Sequence, residues 1–172
     1  KHYHTGQSFV VSNNEGIGWG ATRTHDGSTA LQHPSTSTVR NTPIEVLERQ
    51  ANLFHEELTL IPGSGGIGQY RGGLGIRRKV SMTGETEVIS MKKKSKTVGW
   101  GLDGGQPSSV KNHMVLWPDT PKEKKVGMYR ETLKAGEAFV NFSAGGAGWG
   151  DPANRDPSAT TDDILDGLCG SM

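Results

Sequence analysis

Glu56-Glu57-Leu58-Thr59-Leu60-Ile61-Pro62-Gly63-Ser64-Gly65-Gly66-Ile67-Gly68-Gln69-Tyr70-Arg71-Gly72-Gly73-Leu74-Gly75-Ile76-Arg77-Arg78-Lys79 decides how the rest of the chain folds. An alternating stretch enters, a glycine-dense loop follows, and a second alternating stretch leaves. Glycine lets backbones approach closely, at a cost in chain entropy. Ordinary hairpin connections need only a few residues, so this loop is not mere connectivity. Gly63-Ser64-Gly65-Gly66-Ile67-Gly68 matches GxGxxG after a strand, but a dinucleotide site needs a helix to follow and hold the pyrophosphate. Here Arg71-Gly72-Gly73-Leu74-Gly75-Ile76 follows, and a helix would lose about 1 kcal/mol at each glycine. The loop is therefore read as β-like. Its N–H groups and Arg71 could cradle an anion. The favoured account pairs Arg71 with a carboxylate of this subunit or its neighbour, because buried arginines are mostly structural ion pairs. No Walker-type motif occurs.

Glycine-rich stretches recur on both sides. Gly16, Gly18 and Gly20 alternate with Ile17 and Trp19, which predicts a strand with one bare face for close packing. Gly99-Trp100-Gly101-Leu102-Asp103-Gly104-Gly105 and Gly145-Gly146-Ala147-Gly148-Trp149-Gly150-Asp151-Pro152 repeat the glycine-aromatic theme. With 25 glycines in 172 residues and an apolar fraction of 32%, the chain reads as a loop-rich β architecture that leans on other surfaces. Its length suits one domain.

The ordinary elements follow from pattern. Asn41 or Thr42 caps a short helix opened by Pro43, with Glu45 completing a capping box and an end near residues 49–52. Residues 54–61 return to alternation, placing Phe54, Glu56, Leu58 and Leu60 on one side of a strand that could face an interface. Residues 77–91 read as a hairpin around Thr83-Gly84-Glu85. Further strands are expected at 8–12, 112–117, 129–133 and 138–142. A final helix over 159–168 has Thr160 or Thr161 as cap, Asp162 and Asp163 in its first turn, and Ile164, Leu165 and Leu168 on one face. Arg155 is expected to pair with Asp151 or Asp156.

Charge excludes little. Nineteen Lys and Arg against 18 Asp and Glu leave a net +1, which argues against nucleic acid as a partner. The run Lys92-Lys93-Lys94-Ser95-Lys96 reads as a solvated turn. No run approaches the roughly 20 apolar residues of a membrane span. The lone Cys169 fits a reducing compartment, so the expected location is cytoplasmic. His2 and His4 alternate on one face without a third ligand, which is weak ground for a metal. His25-Asp26, with His33, could form a metal-binding or acid–base pair.

Ser64-Gly65-Gly66-Ile67-Gly68-Gln69-Tyr70-Arg71-Gly72-Gly73-Leu74-Gly75 resembles the signature of the hydantoinase B/oxoprolinase family. Asn41-Thr42-Pro43-Ile44-Glu45-Val46-Leu47-Glu48, Gly99–Gly105, and Gly145–Pro152 running into Arg155-Asp156-Pro157 agree in order. Family chains are several times longer, so residues 1–172 resemble a single C-terminal region of such a subunit, a fragment or split piece. The resemblance implies a mainly β (α+β) domain packed within a multi-subunit enzyme. It also implies an ATP-dependent cyclic-amide hydrolase of hydantoinase or 5-oxoprolinase type, with an acetone/acetophenone-type carboxylase as alternative and a non-catalytic assembly subunit as the reading from another class. In that division of labour an A-type subunit of ATPase fold phosphorylates the cyclic amide or ketone, and the B-type subunit completes the conversion. ATP and a divalent metal are bound outside this chain, in the partner and in the remainder of the B-type subunit. His33 aligns with a histidine that precedes the Asn-Thr-Pro segment in the family, although Pro34-Ser35-Thr36-Ser37 departs from the usual run after it. By the same resemblance His33, Asn41, Arg71, Asp151 and Arg155 are the residues expected to position substrate or an interface, with no catalytic residue or metal ligand in the chain.

Overall fold

The computed structural model describes residues 10–12, 14–32 and 41–169. Its order is α1 (Ile44–Gln50), β1 (Leu53–Leu60), β2 (Ile76–Met82), β3 (Thr86–Met91), β4 (His113–Leu116), β5 (Lys124–Val126), β6 (Met128–Leu133), β7 (Ala138–Phe142) and α2 (Pro157–Leu165). A mainly β chain with short helices is what the sequence led us to expect.

β1-β2-β7-β4-β5 form one five-stranded antiparallel sheet, and β3 pairs with β6 in a separate two-stranded ribbon. β2 alternates without a break: Ile76, Arg78, Val80 and Met82 are buried, and Arg77, Lys79 and Ser81 are half-buried. One face of the sheet packs under the ribbon. Val80 and Met82 meet Leu133 of β6, while Met114, Leu116 and Val126 meet Val88 and Tyr129 of the ribbon. Full burial of each large apolar side chain contributes about 1.5–3 kcal/mol, so this contact is the principal hydrophobic core.

Two expectations are corrected here. Residues 77–91 are not a hairpin, because both edges of β2 are occupied by β1 and β7. β3 leaves the turn at Thr83-Gly84-Glu85 to pair with β6 and drops Val88 onto the core. The capping box is also absent: Pro43 is itself the cap of α1, with φ −52° and ψ 137°, and no side chain caps that end. Thr42 therefore stands one residue too early to reach the helix N–H groups. The helix ends at Gln50, as expected.

The glycine-rich segments build a second layer. Residues 16–32, 63–75, 97–110 and 143–150 run extended beside one another, bonded through main-chain groups with only isolated bridges between them. Gly18 N–H donates to Ala144 O and Ala21 N–H to Ala147 O; Gly27 N–H donates to Arg71 O and Ala30 N–H to Leu74 O. Donor and acceptor both advance by three residues, the step of a polyproline II-like chain rather than of a β ladder. The strand expected at Gly16–Gly20 is thus an extended bundle segment, and the close backbone approach it implied is present. A Cβ on Gly146 would overlap the Trp19 carbonyl, and one on Gly73 the Ser28 carbonyl. Residues 10–12 carry no strand. His2, His4, His33 and the rest of the 8–12 expectation lie outside the described residues.

Buried serines join bundle to sheet. Ser64 Oγ donates to Ile61 O (2.7 Å) and accepts from Gly75 N–H (2.9 Å), and Ser143 Oγ accepts from Ile76 N–H (2.7 Å). Among the described residues no helix is long and apolar enough to cross a membrane.

Candidate functional site

Four charged side chains meet where the bundle faces α2. Arg155 donates Nη1 to Asp26 Oδ1 and Nη2 to Asp26 Oδ2, both at 2.9 Å, a bidentate pairing. The same Nη2 donates to Asp163 Oδ2 at 2.5 Å, and Nη1 also reaches Gln69 O at 3.2 Å. Arg71 Nε donates to Asp163 Oδ1 at 2.8 Å, and the Arg71 backbone N–H donates to Asp26 Oδ1 at 2.8 Å. The side chains alternate in sign, Asp26–Arg155–Asp163–Arg71, and the ring is formally neutral. It bolts together four distant pieces: the loop at residue 26, the glycine loop at residue 71, the turn at residue 155 and α2.

Local sequence explains the placing. Asp151 accepts from Ala153 N–H (2.9 Å) and opens a 3-10 turn over Pro152–Asn154, which delivers Arg155 in extended backbone. Asp156 then accepts from Ser158 N–H (2.9 Å) and caps α2, with Pro157 at the first helical position. The helix thus starts two residues earlier than read from the sequence. Asp163 lies in its later turns and is 5% exposed, while Ile164 and Leu165 face outward at 51% and 78%. Ile164 and Leu165 of the expected apolar face are therefore on the outside while Leu168 is half-buried, and the inner face is chosen by the carboxylate that two guanidinium groups require. Arg155 pairs with neither Asp151 nor Asp156, since both carboxylates serve as caps. Asp26 belongs to the ring rather than to a metal or acid–base pair, and Asp163, expected in the first turn of the helix, stands in its later turns as the second ring carboxylate. A carboxylate on a helix face two turns beyond an arginine was the available signal for it.

Electrostatics follows the geometry. Burial opposes ionisation of Asp26, but the Arg155 bonds and the Arg71 N–H outweigh it and hold the carboxyl below its ordinary value. The Asp26 bonds push the Arg155 guanidinium upward, against burial. Of the residues singled out in the sequence, the ring unites Arg71 and Arg155. Asp151 stands beside it as a cap, and Asn41 is exposed at the approach to α1. Arg71 is engaged by Asp163, in agreement with the ion-pair account of the glycine loop.

A shallow, open depression of about 450 Å³ adjoins the ring, lined by His25, Asp26, Gln69, Tyr70, Asn154 and Arg155 among others. His25 Nδ1 lies 2.8 Å from the Asp26 carbonyl, which can only accept, so Nδ1 is the donor of that bond. Both ring carboxylates are committed to arginines, no group of three His, Cys, Asp or Glu able to hold a metal occurs among the described residues, and no helix follows Gly68 to receive a nucleotide phosphate.

The hydantoinase B/oxoprolinase family model matches residues 1–152. The chain belongs to that family. Arg155 and Asp163 lie beyond the matched residues. An uncharacterized protein of Methanocaldococcus jannaschii is 34% identical over 126 residues, covering 73% of this chain and 22% of that protein. A 5-oxoprolinase of Dictyostelium discoideum is 28% identical over 134 residues, covering 77% of this chain and 10% of that one. The nucleotide-free structure of an acetone carboxylase superposes with a TM-score of 0.75 at 23% identity, over 90% of this chain and 25% of that one. This family member therefore spans a quarter or less of each of these three proteins.

Proposed function

We propose that the chain is the C-terminal, glycine-bundle part of the B-type subunit of an ATP-dependent cyclic-amide hydrolase. Family membership over residues 1–152 carries this reading, and the 5-oxoprolinase relative supports a lactam as substrate class. Phosphorylation of an amide oxygen turns an unreactive lactam into an activated electrophile, which is why ATP belongs to such a reaction. In this reading ATP sits on an A-type partner and a divalent metal in the remainder of the B-type subunit. The residues of this chain hold and shape. The Asp26–Arg155–Asp163–Arg71 ring fixes the glycine loop against α2, and Tyr70, Gln69 and His25 present polar groups at the adjoining depression without a nucleophile–base pair of their own. The chain thus positions substrate or a neighbouring surface.

The test is ADP release by the purified assembly containing this chain, with 5-oxoproline or hydantoin in one arm and acetone plus bicarbonate in the other. Amide-dependent ADP release with ring-opened product supports the reading. ADP release only in the ketone arm replaces it with a carboxylase. ADP release in neither arm, from an intact assembly, leaves a non-catalytic assembly subunit.

A further inference from the structure

Two of the glycine segments carry large apolar side chains into water at one end of the bundle: Ile67 is 57% exposed, Trp100 78% and Leu102 59%. Their backbones are locked together. Gln106 N–H donates to Ile67 O (2.7 Å), Gly148 N–H to Gln106 O (2.9 Å), Leu102 N–H to Gly148 O (3.3 Å) and Gly150 N–H to Leu102 O (3.0 Å). The half-buried Trp149 pairs with Leu102 across an isolated bridge and lies against Tyr70 with ring centroids 6.2 Å apart. From Thr97 to Leu102 and from Gly63 to Tyr70 there is no charged residue, and the charges bordering these stretches are Lys96, the exposed Asp103 and Arg71, which is held in the ion ring. Among the other exposed apolar groups, Ile89 is opposite Arg130, itself bonded to Glu87, Ile164 and Leu165 lie between Asp162 or Asp163 and Asp166, and Phe54, Leu58 and Leu60 line edge strand β1 around Glu56.

We propose that the surface bearing Ile67, Trp100 and Leu102 docks the part of the B-type subunit that this chain does not span. The inference rests on the B-type reading above. The occupant is argued from length, because this chain covers 22% of the archaeal relative and 25% of the acetone carboxylase chain. Three quarters of such a subunit must contact the remaining quarter somewhere. Apolar side chains around an aromatic anchor are the composition of an interface core, with Asp103 at its border in the place of a polar rim. The exposed apolar area is on the order of a few hundred Å², in the range where patches on soluble proteins are functional. Because main-chain bonds already hold the anchors, docking orders little further chain. The complementary surface is apolar and contains a slot for an indole.

The test is hydroxyl-radical footprinting with mass spectrometry, on this chain alone and in complex with the rest of the B-type subunit as a separate polypeptide. Oxidation of Trp100 should fall at least about fivefold in the complex, as burial of an interface anchor requires, while Met91 and Met128 on the ribbon keep their rates. Trp100→Glu should weaken association at least about tenfold in a titration, with Met128→Glu close to unchanged. The thermal unfolding of both variants is measured, so that a folding defect is separated from a docking defect. Trp100→Phe keeps an apolar ring and should restore most of the association. Equal oxidation of Trp100 in the free and bound chain overturns the proposal. So does protection of Trp100 in a dimer of this chain by itself. Protection without ATP-dependent amide turnover leaves the docking surface standing and removes the hydrolase reading. Turnover with Trp100 still exposed does the reverse.

Discussion

Asp163→Ala tests whether the ion ring holds the bundle to α2. Asp163 is 5% exposed and accepts two charge-assisted bonds, from Arg71 Nε at 2.8 Å and Arg155 Nη2 at 2.5 Å. Each such bond contributes about 1.5–3 kcal/mol, and removing one partner of a buried pair costs about 3–5 kcal/mol. Arg155 would keep its bidentate bond to Asp26, so it is not stranded. Arg71 Nε would keep only the Asp26 oxygen at 3.8 Å. The expected loss is therefore near the lower bound, about 3 kcal/mol, or about 6–12 °C in Tm for a chain of this size. Asp163→Asn retains an acceptor and should lose roughly half as much. Asp162→Ala, one residue away on the exposed side of α2, should stay within about 0.5 kcal/mol of the parent. Urea unfolding followed by tryptophan fluorescence reads all three. If Asp163→Ala and Asp162→Ala unfold at the same urea concentration, the ring contributes nothing and the argument for a clamp fails.

Gly146→Ala should abolish folding or cost well over about 3 kcal/mol, because its Cβ would overlap the Trp19 carbonyl, whereas Gly20→Ala meets only Ala147 O at 3.8 Å and should be close to neutral by thermal unfolding. Lys92, at the head of the run expected as a solvated turn, is instead half-buried while Lys93, Lys94 and Lys96 are exposed; burial pushes it down to about 8, so its ammonium is destabilising at pH 7 and the stability it forfeits returns as pH rises from 8 toward 10.5. Lys92→Met should therefore stabilise at pH 7, by about 1–3 kcal/mol, with the gain shrinking above pH 8 in unfolding curves. His55 is held below 6.5 by burial first and by Arg78 second, which makes the folded state the weaker proton binder. Its contribution is present above pH 6.5 and is lost as pH falls below that value, so His55→Gln should flatten stability across this window. Asp26, held below 3.8, contributes fully above that pH and loses its share on further acidification, and Asp26→Asn should remove this part of acid unfolding.

Strand identities were legible where one face is buried and the period is two. β1, β6 and β7 lie within about a residue of their expected bounds, within the usual scatter of element ends. Pairing was not legible, because alternation in residues 77–91 says which face is buried and not which edge is free. The vacancy that β3 would need beside β2 is filled by β7, whose sequence is more than fifty residues away. Glycine periodicity misled in a related way. Alternate glycines at 16, 18 and 20 read as one bare strand face, yet bonds that advance by three residues show an extended bundle in which the absent Cβ serves the neighbouring backbone.

The candidate site shows the same division between local and distant information. Arg71 and Arg155 stood out because each sits in a glycine- or proline-punctuated segment, and local chemistry also determines that Asp151 and Asp156 are caps. Their removal from the list of pairing partners is what leaves two arginines in need of distant acids. Asp26 and Asp163 satisfy that need from 129 and 8 residues away from Arg155. A loop of backbone N–H groups flanked by arginine would invite an anion in isolation, but within this fold the anion is supplied by the chain itself. At Arg71 the Nε donor is taken by Asp163. What the ring leaves open is the depression beside it, where Tyr70, Gln69, Asn154 and His25 join Asp26, Arg155 and Asp156 in the lining. The Asp163→Ala variant should accordingly disturb that surface through the position of Arg155 and residue 71, without removing any group that lines it.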